Sequence, residues 1–116
     1  MKNKNDELLV QLLQSELTLL KSSMETLLAS SVKCRAIGLK SDYSFEELES
    51  FDSLTSKFSR TSDLFTQKVI RTVWMLLHES FVPFIDMMNM GEKLGILESA
   101  NEMIEIRDMR NQISHE

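Results

Sequence analysis

A leucine-rich seam near the start of the chain sets the strongest limit on what it can fold into. Leu9, Leu13, Leu17, Leu20, Met24 and Leu27 recur at spacings of three and four residues, the repeat of a helix face that packs along another helix. Asn5 is the expected N-cap, with Asp6 and Glu7 in the first turn, where the helix dipole favours carboxylates. The pattern carries a helix to about Cys34, a length of about 45 Å at about 1.5 Å per residue. Such a span needs an equally long partner, so the expected fold is an all-α, up-and-down helical bundle. Gly38 and the polar run from Lys40 to Ser44 end the first helix.

The partner follows at once. Ser44 and Glu47 form a capping box, and Tyr43 with Leu48 suits the hydrophobic staple across it. Phe51, Phe58, Phe65, Val69, Val73 and Leu76 then lie within about 60° either side of one direction at helical pitch. The Ser/Thr density between Ser53 and Thr66 lowers helix propensity and places an expected kink near Arg60 to Ser62. The two long helices are expected to pair antiparallel, with shorter helices towards the C-terminus. Pro83 opens the first of these, from about Phe84; Gly91 weakens it and Gly95 ends it. Ser99 and Glu102 make a second capping box that launches the last helix. Trp74 and the Phe/Met cluster of Phe81, Phe84, Met87, Met88 and Met90 read as core or subunit contact rather than a ligand box.

With 116 residues, 42% hydrophobic, and no repeats or linkers, the chain is read as one domain over residues 1–116. Its single cysteine, Cys34, leaves no internal disulfide and no thiolate zinc cluster, which points to a reducing, cytoplasmic compartment. No secretion signal or membrane span is expected, since the most apolar region, Val73 to Met90, is interrupted by His78, Glu79 and Asp86. Three glycines make no phosphate loop, and neither His78-Glu79 nor His115-Glu116 extends to H-E-x-x-H, so no cofactor and no metal site is expected.

A net charge of −5 argues against a dedicated duplex-DNA binder, though not against a local basic stripe. Lys57, Arg60, Lys68 and Arg71 fall within about 80° of one another on the far side of the second helix, with only Asp63 intervening. That stripe suits RNA phosphates or an acidic partner; the default for charge opposite an apolar face is simple solvation. Asp42, Glu46, Glu47, Glu49 and Asp52 make the start of the same helix acidic, an end that nucleic acid should avoid.

The residue types at the C-terminal end fit a reaction better than a fold. Met103, Ile106, Met109 and Ile113 share one helical face, and Arg110 falls inside that stripe. Its guanidinium must pair with an acid, reach out to water, or face a cavity or second subunit. His115 projects about 140° away from Arg110, so one straight helix cannot close both on one small ligand. Asn111, four residues before His115, is placed to hydrogen-bond its ring.

Arg110-Asn111, three residues and His115 match the Arg-polar-x-x-x-His signature of HEPN-domain proteins. Together with the segment from Phe58 through Arg60, Asp63 and Leu64 to Gln67-Lys68-Val69, the chain from about Leu8 onward resembles the HepT-like members encoded beside small nucleotidyltransferases. The resemblance implies a metal-independent endoribonuclease toxin, a homodimer whose motif helices meet across the two-fold axis, paired with a nucleotidyltransferase antitoxin. In that reading the ribose 2′-OH attacks the adjacent phosphate, His115 is general base or acid, Arg110 stabilises the phosphoryl oxygens and Asn111 orients histidine or phosphate. The family signature often continues with a tyrosine that the partner modifies, whereas this sequence ends at Glu116, one position short, and its Tyr43 lies in a distant loop. The resemblance therefore predicts either a C-terminally truncated form, lacking the family's last helix, or a chain without that control point. A reading from a different class stands beside it: a non-catalytic helical binding partner of a nucleotidyltransferase, with Arg110 and His115 as interface or capping groups.

Overall fold

The computed structural model describes residues 3–114, which form helices and loops without a strand. The order is α1 (Lys4–Ile37), α2 (Phe45–Asp63), a π-helical segment (Leu64–Val69), α3 (Ile70–Leu76), α4 (Phe84–Lys93) and α5 (Ala100–Ser114). The first helix begins two residues earlier than Asn5 would allow. Asn3 sits in extended backbone and its Oδ1 accepts the Asp6 N–H at 2.8 Å, so Asn3 is the cap. At the other end Gly38 takes φ +74°, a left-handed conformation that costs glycine little.

The loop that follows is pinned by Tyr43. Its hydroxyl accepts the Lys40 N–H at 3.0 Å and donates to the Gly38 carbonyl at 3.3 Å, while its ring packs edge-on against Phe51 at 5.1 Å. Tyr43 thus meets Phe51 rather than stapling Leu48, which stays exposed. The capping box forms in full: Ser44 Oγ accepts the Glu47 N–H, and the Glu47 carboxylate accepts the Ser44 N–H and the Lys40 ammonium.

From Phe45 to Leu76 the second long helix is continuous, and Arg60 to Ser62, the expected site of a kink, keep α-helical hydrogen bonding. Asp63, Leu64, Val69 and Ile70 all keep right-handed helical dihedrals, and the irregularity is a π turn in which the Ile70 N–H reaches back five residues to the Phe65 carbonyl. Hydroxyls compete for carbonyls through this region, with Thr61 Oγ1 donating to Lys57 O and Thr66 Oγ1 to Ser62 O. A π turn carries about one extra residue, which rotates everything beyond it by about 100° relative to a plain α-helix. The apolar face therefore shifts. Phe65, Val73 and Leu76, expected on the core row, are only half-buried, and the deepest positions become Ile70 and Trp74 with Val69 beside them.

α1 and the second long helix are antiparallel, as expected. Cys34 Sγ donates to Ser50 O at 3.3 Å, Ser23 and Thr61 share a hydroxyl hydrogen bond of 2.5 Å, and Thr72 Oγ1 donates to the Glu16 carboxylate at 2.6 Å. The α1 partner falls from 34 to 16 while the other rises from 50 to 72. The innermost face of α1 is thus a polar and small-residue line, Glu16, Ser23, Ser30 and Cys34, rather than the leucine seam. Leu9, Leu13, Leu20 and Leu27 flank it half-buried, and Leu17 and Met24 are exposed. Small side chains along the contact allow close approach of the two axes, and the leucines pack to one side.

The main apolar core lies where α3, α4 and α5 meet. Trp74 (0% exposed), Ile70, Met88, Met87 and Ala100 form it, with Phe84, Met90, Leu97 and Met103 packed against them. Phe81 of the expected cluster stays outside, its ring under the Arg71 guanidinium at 5.5 Å. Gly91 is buried in α4 because Leu97 folds back on it; a Cβ there would lie 3.1 Å from Leu97 Cδ1. Ser99 Oγ accepts the Glu102 N–H at 3.2 Å and the Glu92 carboxylate accepts the Ala100 N–H at 3.1 Å, which fixes the start of α5. The molecule measures 60 × 25 × 23 Å. Among the described residues no helix is long and apolar enough to cross a membrane.

Candidate functional site

α5 carries the motif, and its apolar residues decide where Arg110 points. Met103 and Ile104 enter the core, and α5 then runs along α2. Arg110 is thereby turned towards the C-terminal end of α2, where it forks onto Asp63: Nε donates to Oδ1 and Nη2 to Oδ2, both at 2.9 Å. The pair is partly shielded, with the two side chains 23% and 34% exposed. Hydrogen bonding to Asp63 raises the pKa of Arg110, and burial opposes that shift. Of the options open to an arginine within an apolar stripe, the molecule uses pairing with an acid. Asn111 lies on the exposed side of α5. His115 lies outside the described residues, and so does its expected contact with Asn111.

The basic stripe is split. Lys57, Arg60 and Lys68 line one groove of about 660 Å³ between α1 and α2, together with Asp63, Gln67 and the hydroxyl residues Ser22, Ser23 and Thr26. Arg71 is not among them. It lies beyond the π segment, and the accompanying rotation carries it to the Phe81 ring. The three remaining cations make no ion pair among the described residues. Asp63, the one carboxylate lining the groove among those residues, is already neutralised by Arg110. The groove is therefore locally cationic on a chain of net charge −5, and its Asp63 is the residue that Arg110 holds.

Other candidate chemistry is placed elsewhere. Cys34 is buried against α2 with its thiol directed at a backbone carbonyl. His78 is exposed in the turn after α3, its Nε2 3.1 Å from Asp6 Oδ2. Among the described residues no three His, Cys, Asp or Glu side chains converge as a metal site. Sequence reasoning missed Asp63 as the partner of Arg110: pairing with an acid is one of three options for an arginine in an apolar stripe, and nothing local to α5 selects an acid 47 residues away. Compared with family models, curated proteins and solved structures, the chain matches none.

Proposed function

We propose that the chain is a HEPN-type, metal-independent endoribonuclease of the toxin class, acting in the cytoplasm as a homodimer and restrained by a small nucleotidyltransferase antitoxin. The observation that carries this reading is the cationic groove: Lys57, Arg60 and Lys68 lie unpaired beside an Asp63 whose charge Arg110 cancels. Single-stranded phosphates tracking such a groove arrive at the motif helix, where the remaining N–H groups of Arg110 are available to a phosphoryl oxygen. His115 supplies proton transfer to and from the ribose 2′-OH and the leaving oxygen, and Asn111 orients it. Positioning by cations and stabilisation by the planar guanidinium account for the remainder of the rate.

The test is cleavage of an unstructured RNA in EDTA by the purified protein, by His115→Ala and by Arg110→Met. The wild type is expected to cut, and each variant to lose about 100-fold or more of the rate, with His115→Ala melting like the wild type. Wild-type cleavage by His115→Ala would sink the assignment.

One observation favours a second reading. The fork onto Asp63 already gives Arg110 a structural role, as in a non-catalytic helical partner of a nucleotidyltransferase. Under that reading the wild type cuts nothing in the same assay, and exchanging the charges as Asp63→Arg with Arg110→Asp recovers the melting temperature that either single change lowers.

A further inference from the structure

Arg110 meets a phosphate only from the position its partner gives it, and that partner is a groove residue. Asp63 is the last residue of α2, just before the π segment, and it lines the cationic groove with Lys57, Arg60 and Lys68. Each of its oxygens accepts from Arg110, Oδ1 from Nε and Oδ2 from Nη2, both at 2.9 Å. A planar guanidinium held at two points along one edge has its plane and its opposite edge fixed as well. The N–H groups of Nη1 and the second N–H of Nη2 make no hydrogen bond among the described residues. Neither backbone is free to wander. Asp63 lies within the continuous helical run from Phe45 to Leu76, and Arg110 lies in α5, which Met103 and Ile104 anchor in the core.

We propose that Asp63 is a positioning residue of the cleavage site: by gripping one edge of the Arg110 guanidinium it aims the other edge at the phosphate to be cut. Stability alone gives a weak reason for an acid here. Arg110 is 23% exposed and Asp63 34%, so the arginine could turn to water instead, and a pair this open to solvent adds little to the fold. For RNA binding the acid is a disadvantage. It sits among the groove's cations and takes the charge of Arg110 out of the balance that attracts phosphates. What the fork supplies is direction, because donors already aimed at the transition state need no reorganisation when charge develops there. Asp63 therefore weakens binding and speeds the chemical step, and these opposite effects set a positioning role apart from a structural one. The proposal rests on the nuclease reading and adds a residue to its site.

Single-turnover cleavage of an unstructured RNA in EDTA tests it, comparing the wild type with Asp63→Asn and Asp63→Glu at saturating protein. Fluorescence anisotropy of the same RNA, with His115→Ala added to each protein so that nothing is cut, reads affinity. Circular dichroism at the assay temperature shows which variants are folded. Asp63→Asn keeps the size and loses the charge and one acceptor; its rate is expected to fall about 100-fold while it binds RNA about threefold more tightly. Asp63→Glu keeps the ion pair but sets the guanidinium about one methylene away, and is expected to cut about tenfold more slowly with unchanged affinity. If Asp63→Asn is unfolded, Asp63→Glu decides alone. A folded variant that cuts at the wild-type rate, or an Asp63→Asn protein that binds RNA more weakly than the wild type, overturns the proposal. A wild type that cuts nothing sinks the nuclease reading itself, a different result from a wild type that cuts no faster than its Asp63 variants.

Discussion

At the scale of single residues, polar side chains fix what the apolar pattern leaves loose. Glu47 closes the capping box of α2 and also receives the Lys40 ammonium, and these hydrogen bonds, Lys40 first and the Ser44 backbone second, hold its pKa below the ordinary glutamate value. A carboxylate depressed in the folded state stabilises the fold above its unfolded pKa, and that contribution is lost as pH falls through the folded value. Glu47→Gln is therefore expected to melt below the wild type at neutral pH, with the gap closing as the pH drops below about 4.5. Melting curves of the two proteins from pH 7 to pH 3 check this; a gap that stays constant over that range refutes it. Glu16 and Thr72 do comparable work in the interior, where the threonine hydroxyl supplies the hydrogen bond that a buried carboxylate requires.

Among the elements, the π segment does most to shape the molecule. Leu64–Val69 adds about one residue to an otherwise regular helix, and so sends Ile70 and Trp74 to the core and Arg71 away from the cationic groove. Such a turn is also where a helix can lose a residue without changing the phase of its flanks. Deleting Gln67, exposed within the segment, is expected to restore a plain α-helix and to cost less than about 2 kcal/mol. Deleting exposed Ser56, in regular α2, rotates every later side chain off its partner and is expected to cost more than about 4 kcal/mol, as in multiple core disruptions. Urea denaturation of the two deletions compares them directly, and equal costs would show that the segment is not a one-residue insertion.

For the molecule as a whole, the distribution of apolar surface is uneven. The core sits at the α3, α4 and α5 end, and the α1–α2 hairpin extends beyond it, giving a radius of gyration of 17.1 Å against about 13 Å for a compact domain of this length. The homodimer proposed above ties stability to concentration. The melting temperature of the wild type is expected to rise by a few degrees per tenfold increase in protein, since that increase is worth about 1.4 kcal/mol per dimer, and a melting temperature that does not move with concentration refutes the dimer. Differential scanning calorimetry over two decades of concentration reads this out.

By itself the sequence determined the helices, their antiparallel order and every cap it named but the first, where Asn3 takes the place expected of Asn5. These are set by local rules of period, capping and glycine placement that act within a few residues: the Ser44–Glu47 box, Gly38 and Gly95 at positive φ, and helix starts at Phe45 and Phe84. It placed Trp74 in the packing and put Arg110 inside the apolar stripe of α5, with pairing to an acid as one of three outcomes. It put the leucine seam innermost on α1, where the structure puts the line of Glu16, Ser23, Ser30 and Cys34, because period marks the bulky face and not the one along which two helix axes come close. Nor did it give the phase of the chain after residue 63. A π turn depends on a single backbone hydrogen bond shifted by one residue, and no local composition distinguishes that from a kink. The choice of Asp63 for Arg110 and the loss of Arg71 from the basic stripe follow from that phase and from how α5 crosses α2. Contacts made across 38 to 56 residues, as between Ser23 and Thr61 or Glu16 and Thr72, are settled by tertiary packing, where the fit of whole faces outweighs any preference of the residues taken one at a time.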